Sequence, residues 1–267
     1  EKVYINFSLY YNIIMYLTYL NSATVLIETK STKILCDPWL TGSTYYGSWY
    51  SYPKLETEID ITDFFDVNYI YISHIHPDHL HIETLSKFPK NIPILIHDYK
   101  LKFVYNTLKS IGFINIIEVG HKKEIELSYD LKMEILAADD CNPEKCSLFI
   151  GCKVLTKTKK SLSIDSLSIF KSSNSVLVNI NDCPYDMAID VVKYIKEKYK
   201  TIDMLLLGYA GAGPYPQCFN DLTNKEKIIE AKLKKEKFYQ QAINYIIALK
   251  PKSYMPFAGK YTLGGRL

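Results

Sequence analysis

Short apolar runs alternate with polar turns along most of the chain, and the spacing of the apolar positions separates strands from helices. Runs rich in Ile, Val, Leu and Tyr predict strands at 15–20, 24–29, 33–36, 69–73, 94–96, 114–119, 124–127 and 132–137, and again at 148–155, 167–170, 175–180, 204–207 and 253–257. Helical spacing predicts helices at 82–88, 99–111, 184–200 and 224–249. In the last of these, Ile228, Ile229, Leu233, Phe238, Ala242, Ile246 and Ile247 recur with lysines opposite, which reads as a core-facing stripe. The opening stretch 3–20 is apolar and tyrosine-rich, but Asn6, Ser8, Asn12 and Thr18 break it too often for a membrane span. Two edge strands, or a strand after a helix, suit it better. Helices mix with strands throughout and hairpins interrupt any purely parallel order, so the expectation is α+β: a four-layer αββα sandwich of two mixed sheets with helices outside. No long linker divides the apolar runs, which favours one domain over 1–267; a start at Glu1 rather than Met leaves room for a fragment of a longer chain.

One strand end carries chemistry. The run 69–73 passes into Ser73-His74-Ile75-His76-Pro77-Asp78-His79-Leu80-His81. Residues two apart in an extended segment point the same way, so His74 and His76 can offer imidazoles to one ion, and Pro77 turns Asp78 and His79 toward a neighbouring position. Imidazole with carboxylate suits zinc, and also non-haem iron or manganese. The competing reading is a polar strand end with solvated histidines.

Composition narrows the partners. With 267 residues and 48% hydrophobic content a sizeable core is available, and a net charge of +3 with interspersed Lys and Glu marks no nucleic-acid surface. The partner expected is a small-molecule substrate, with neither nucleic acid nor membrane. The lysine-rich segment 153–160 reads as a solvated hairpin end that could lean over an anionic substrate. Six cysteines are scattered without zinc-ribbon spacing or disulfide density, which points to a reducing cytoplasm.

The His74–His79 motif resembles the metal-binding signature of the metallo-β-lactamase superfamily. Within it, the stretches 72–80, 208–219 and 256–261 are similar to the lactamase-like domain of CMP-N-acetylneuraminate hydroxylases and related nucleotide-sugar enzymes. The segment 23–40 resembles the opening hairpin of that fold, which ends in an Asp-Pro pair, here Asp37-Pro38, near the metal. The resemblance implies a centre held by His74, His76, Asp78, His79 and Asp182, the last a bridging carboxylate; its competing role is to cap the helix after Pro184. It also implies two further histidines that this chain lacks. Where one belongs, after the strand 132–137, the sequence gives Asp139, Asp140, Cys141 and Glu144, so Asp140 or Cys141 would complete the set. At the other, near 255–258, no histidine stands. Zinc is the first expectation, and an oxygen-rich set shifts preference toward iron or manganese. Of the remaining histidines, His81 reads as a first-turn helix residue, His97 as packed or capping, and His121 as a solvent-facing turn residue.

The leading functional expectation is a metallo-hydrolase in which a metal-activated water, oriented or deprotonated by Asp78, attacks an ester, lactone, amide or phosphodiester of a sugar- or nucleotide-like metabolite. Trp39 and Trp49 in the aromatic loop 39–52, with Tyr209 in the glycine-rich turn 208–213, are the expected substrate contacts; packing of the loop is the alternative. A second expectation is an oxidative role on a nucleotide sugar. The hydroxylases resembled here draw electrons through a Rieske cluster on paired Cys-x-His and Cys-x-x-His motifs, and this chain has neither. A third is a binding module with a decayed centre.

Overall fold

The computed structural model describes residues 4–6, 15–52, 59–137, 165–210, 213, 215–259 and 261–264. A seven-stranded sheet runs in the order β1 (Tyr4–Asn6), β2 (Tyr16–Asn21), β3 (Thr24–Glu28), β4 (Lys33–Cys36), β6 (Tyr69–Ile72), β7 (Ile94–His97) and β8 (Ile116–Val119). Its first four strands pair antiparallel, and tight turns join β2 to β3 and β3 to β4, the latter closed by Thr29 N–H to Thr32 O at 2.8 Å. From β4 onward the pairing is parallel, with α1 (Ile82–Lys87) crossing from β6 to β7 and α2 (Phe103–Ser110) from β7 to β8.

The second sheet has six strands, ordered β14 (Ser253–Phe257), β13 (Met204–Gly208), β12 (Val176–Asn179), β11 (Ser166–Lys171), β10 (Leu131–Ala137) and β9 (Lys123–Ser128). Hairpin pairing over β9 to β12 gives way to parallel pairing from β12 to β14, crossed by α3 (Ile189–Lys198) and α4 (Asn224–Leu249). A separate ribbon pairs β5 (Trp49–Ser51) with β15 (Tyr261–Leu263).

Alternation decides what each face buries. Val25, Ile27, Ile34, Tyr71 and Leu95 of the first sheet meet Met133, Ile135, Phe170, Leu177 and Leu206 of the second in a core between the sheets. The intervening residues face outward and are covered in turn. Ile70, Ile72, Ile94 and Ile96 lie under Leu85, Val104 and Leu108, while Leu167, Val178, Leu205 and Leu207 lie under Val191, Ile195, Ala242 and Tyr245. Central strands are therefore apolar on both faces, which explains their near-continuous hydrophobic runs. The layers are helix, sheet, sheet, helix, as the sequence implies.

Three expectations change. The helix expected at 99–111 begins only at Phe103, and that at 184–200 contracts to Ile189–Lys198 behind a 3₁₀ turn, Tyr185–Met187. The strand expected at 148–155 lies outside the described residues. The stripe on α4 is not a continuous core face: Ile228, Ile229, Leu233 and Ile247 are exposed, and burial falls on Ala242, Tyr245 and Leu249. Only the C-terminal half of that helix rests on the sheet; its first half spans a cavity. Thr223 and Glu226 close a capping box at its start. Among the described residues no helix is long and apolar enough to cross a membrane.

Candidate metal centre

Strand β6 stops at Ile72, and residues 73–81 form the rim where the two sheets open. Pro77 imposes the turn, closed by His79 N–H to His76 O at 2.9 Å and Leu80 N–H to His76 O at 2.8 Å. It delivers two groups of candidate ligands: His74, His76 and Asp165, and His74, His79 and Asp182. His74 Nε2 lies 2.8 Å from His76 Nδ1 and 3.7 Å from Asp165 Oδ1. His79 Nε2 lies 3.3 Å from Asp182 Oδ2 and 3.7 Å from Asp78 Oδ2. Ligand atoms held at about 2.0–2.1 Å by one ion stand about 2.9–3.4 Å apart for right-angled to tetrahedral arrangements, so both groups are near metal-holding separation. His79 Nε2 is buried and makes no hydrogen bond, the condition of a donor atom aimed at an ion.

The far nitrogens of the rings fix this aim. Asp37, fully buried, accepts from Ser73 N–H (2.7 Å), Ser73 Oγ (2.6 Å) and His79 Nδ1 (2.8 Å). Ser73 Oγ also stands 2.9 Å from His74 Nδ1. Both imidazoles are thereby anchored by Nδ1 and present Nε2 to the centre. Asp37 adopts a left-handed backbone, φ 45°, which Asp tolerates better than bulkier residues.

Charge is divided within the cluster. Burial, reinforced by His79 and His76, holds His74 well below the usual histidine range, and burial with His79 lowers His76 as well. Both are neutral, the form that binds metal. Burial opposes charge on His79 too, but Asp182, Asp37 and Asp78 outweigh it and hold that ring well above the usual range. Burial pushes the Asp78 carboxyl up against the opposing pull of His79.

Asp182 reaches the centre from the loop after β12, where Asn181 is left-handed (φ 53°) and a side chain at Gly208 would come within 3.0 Å of Asn181 O. The cap of the following 3₁₀ turn is Pro184, without a side-chain bond, so the helix-cap role falls away from Asp182. Asp165 immediately precedes β11, whose first residue Ser166 donates its hydroxyl to Ser73 O at 2.7 Å, tying the two sheets together beside the motif. Above the centre, Tyr45 donates its phenol to Asp78 Oδ1 at 3.1 Å and packs at a tilt of 44° against Trp49, which stacks on Tyr261.

A cavity of about 1090 Å³ opens from His76, Asp165 and Asp182 and extends beneath the first half of α4. Its walls carry Tyr45, Tyr46 and Trp49 on one side and Lys234, Lys237, Phe238 and Gln241 of α4 on the other.

The structure sorts the remaining expected residues. His74, His76, Asp78, His79 and Asp182 converge. Asp140 and Cys141 lie outside the described residues. Trp49 lines the cavity; Trp39 is 1% exposed, is not in that cavity's described wall and borders a void of about 10 Å³ beside Asp78 and Asp182. Tyr209 is absent from the described cavity wall: its ring turns away toward Gly259, where an added side chain would meet it at 2.4 Å. His81 caps α1, accepting from Thr84 N–H. His121 accepts from Ala137 N–H at 3.0 Å rather than facing solvent alone. Asp165 and Tyr45 were not expected as parts of the centre. The only local signal for Asp165 is an acid set directly before an alternating strand.

His97 is packed, 2% exposed, and its Nδ1 bonds Val119 O at 3.1 Å. Burial, with His121 nearby, pushes it down to about 4. The unfolded chain then binds a proton that the fold does not, so this contribution is intact above about pH 6.5 and is lost as pH falls toward 4, by about 3 kcal/mol in all. Urea unfolding of His97→Gln should accordingly show a flatter fall in stability between pH 6.5 and 4 than the unsubstituted chain.

Residues 16–139 match the beta-lactamase superfamily domain. Among solved structures, the isothiocyanate hydrolase from Delia radicum gut bacteria aligns over 92% of this chain and 85% of its own, with a TM-score of 0.63 and 19% identity. The chain has the metallo-β-lactamase fold. CmlA, a diiron β-hydroxylase from Streptomyces venezuelae, shares that fold over 94% of this chain and 45% of its own, with a TM-score of 0.58 at 15% identity. In sequence, a Mycolicibacterium smegmatis protein named for a Rieske 2Fe-2S iron-sulfur centre is 27% identical over 92% of this chain and 43% of its own length. The cytidine monophosphate-N-acetylneuraminic acid hydroxylase of Danio rerio is 24% identical over 92% of this chain and 38% of its length. The chain thus spans about two-fifths of the length of the curated relatives it matches.

Proposed function

We propose that this metallo-β-lactamase fold is the metal-binding catalytic domain of a hydroxylase acting on an anionic, sugar- or nucleotide-like metabolite. The observation that carries this reading is the grouping of His74 and His76 with Asp165. Two imidazoles and one carboxylate with open positions are the donor set of non-haem iron oxygenases, a set that some catalytic zinc sites also use, and further oxygen donors tip the preference toward iron. The second group adds Asp182 and Asp78 around His79, again rich in oxygen. Bound iron would supply the reduction of dioxygen that puts one oxygen atom into a C–H bond and releases the other as water, with two electrons and two protons drawn from outside the substrate. Those electrons would come from an iron-sulfur donor of the kind for which the mycobacterial relative is named.

The chain's own residues set the rest. Asp37 and Ser73 orient the rings, Tyr45 and Trp49 screen the centre on one side, and Lys234 and Lys237 give the cavity a cationic wall. Lys234 is half-buried with carbonyl partners, Tyr215 O at 2.8 Å and Gly213 O at 3.4 Å, and no described carboxylate within ion-pair range. Such a charge favours an anionic group on the substrate.

Hydrolysis is the second reading, favoured by the absence of any Rieske motif in the sequence. One experiment separates the two. Protein loaded anaerobically with ferrous iron is given a chemical reductant, labelled dioxygen and a panel of sugar nucleotides. A product carrying one labelled oxygen supports the proposal. Release of a cleaved product without oxygen uptake, best with zinc, would overturn it in favour of hydrolysis.

A further inference from the structure

The segment above the centre is held in an unusual backbone. Tyr45 and Tyr46 both lie in the left-handed region, φ 49° and 58°, where bulky side chains are seldom found. Several contacts over-determine that geometry. Thr44 and Trp49 exchange backbone hydrogen bonds at 3.0 and 3.2 Å, and Ser48 donates its hydroxyl to Tyr45 O at 2.6 Å. Gly264 N–H reaches Ser48 O at 2.8 Å from the strand β15, so the far end of the described chain also grips the turn. Trp49 is 4.2 Å from the Tyr45 ring and 4.3 Å from Tyr261, centroid to centroid. Strain this well supported points to a placed side chain.

The phenol of Tyr45 meets Asp78 Oδ1 at 3.1 Å, while Asp78 Oδ2 faces His79 Nε2 at 3.7 Å. The two carboxylate oxygens are thereby assigned different tasks. We propose that Tyr45 is a positioning residue for the centre: its phenol occupies one oxygen of Asp78, fixes the carboxylate rotamer and leaves the other oxygen for the ion held with His79 and Asp182. The idea rests on the metal-centre reading above, but it concerns only how one of two ions is gripped. Outer hydrogen-bond partners of ligands typically contribute 10–100-fold in metal affinity. The phenyl ring alone would preserve the tilted contact with Trp49.

The test compares the unsubstituted chain with Tyr45→Phe, and with Tyr50→Phe on the exposed side of the same ribbon as a control, using cobalt(II) as the probe in competition with a chelator. Tyr45→Phe should bind one cobalt ion about 10–100-fold more weakly and shift its visible absorption, leave the other ion's affinity unchanged, and melt at the same temperature when metal-free. Tyr50→Phe should match the unsubstituted chain. If the chain binds two ions and Tyr45→Phe binds both with unchanged affinity and spectrum, the positioning role is wrong and the centre stands. Equal weakening of both ions, or a lowered metal-free melting temperature, would assign Tyr45 a merely structural role. If the unsubstituted chain binds no cobalt, the metal-centre reading itself falls, and the positioning role with it.

Discussion

His74→Ala is expected to lower the metal content of the purified protein by about one ion per chain: His74 falls in both ligand groups, but its Nδ1 is turned to Ser73, so the single lone pair on Nε2 can hold one ion. His76→Ala and His79→Ala each strike one group and should likewise leave about one ion per chain, while His76→Ala combined with His79→Ala should leave background. The contrast between single and double substitution matters more than any single loss, since a nonspecific defect would already empty the centre in a single variant. His74 is fully buried, with Ser73 Oγ 2.9 Å from its far nitrogen, so its removal also opens a void and costs Ser73 Oγ one of its partners, leaving its bond to Asp37. That alone lowers metal-free stability by about 2–4 kcal/mol. Circular dichroism of the metal-free protein therefore accompanies the metal analysis. A folded His74→Ala chain that still retains both ions would show that this ring holds neither of them, and one that falls to background would show that binding of one ion depends on the other.

The strand preceding the motif, the motif itself and the long helix were legible because each is written locally. Apolar period marks β6, the alternation of His74 and His76 is a property of three consecutive residues, and Thr223 with Glu226 announces the start of α4. The centre as a whole was not. Asp165 stands ninety-one residues after His74 in the sequence, and only the β10–β11 pairing, with Ser166 bonded to Ser73 O, brings it to the rim. A lone aspartate before a strand has many ordinary uses, so nothing local distinguishes this one. The stripe on α4 was misread for a related reason. Periodicity reports that one face of a helix differs from another, but not what that face meets; here Leu233, Lys234 and Gln241 line a cavity while Ile228 and Ile229 are exposed. Tyr45 was legible only as part of an aromatic loop, because its left-handed backbone depends on a ribbon closed by β15.

Asp37 offers the second large effect, and two substitutions there should part stability from metal binding. Its carboxylate is fully buried and accepts three donors: Ser73 N–H, Ser73 O–H and His79 Nδ1–H. Asp37→Ala strands all three and leaves the His79 ring without its anchor, which should lower the stability of the metal-free fold by about 3–5 kcal/mol and abolish uptake at the His79–Asp182 position. Asp37→Asn keeps the shape and tolerates φ 45°, and its amide oxygen can still receive Ser73 N–H. Its amide nitrogen then stands where Oδ2 was and faces both His79 Nδ1 and Ser73 Oγ as a donor, so the Ser73 hydroxyl turns to accept. The ring must answer by accepting at Nδ1 and carrying its proton on Nε2, the atom that would otherwise face the ion. The fold should therefore lose only about 1–2 kcal/mol while metal affinity at that position falls about 10–100-fold, as measured by urea unfolding and chelator competition on the same samples. Equal metal affinity in Asp37→Asn and the unsubstituted chain would mean that the tautomer of His79 is set elsewhere, and that Asp37 acts on the fold alone.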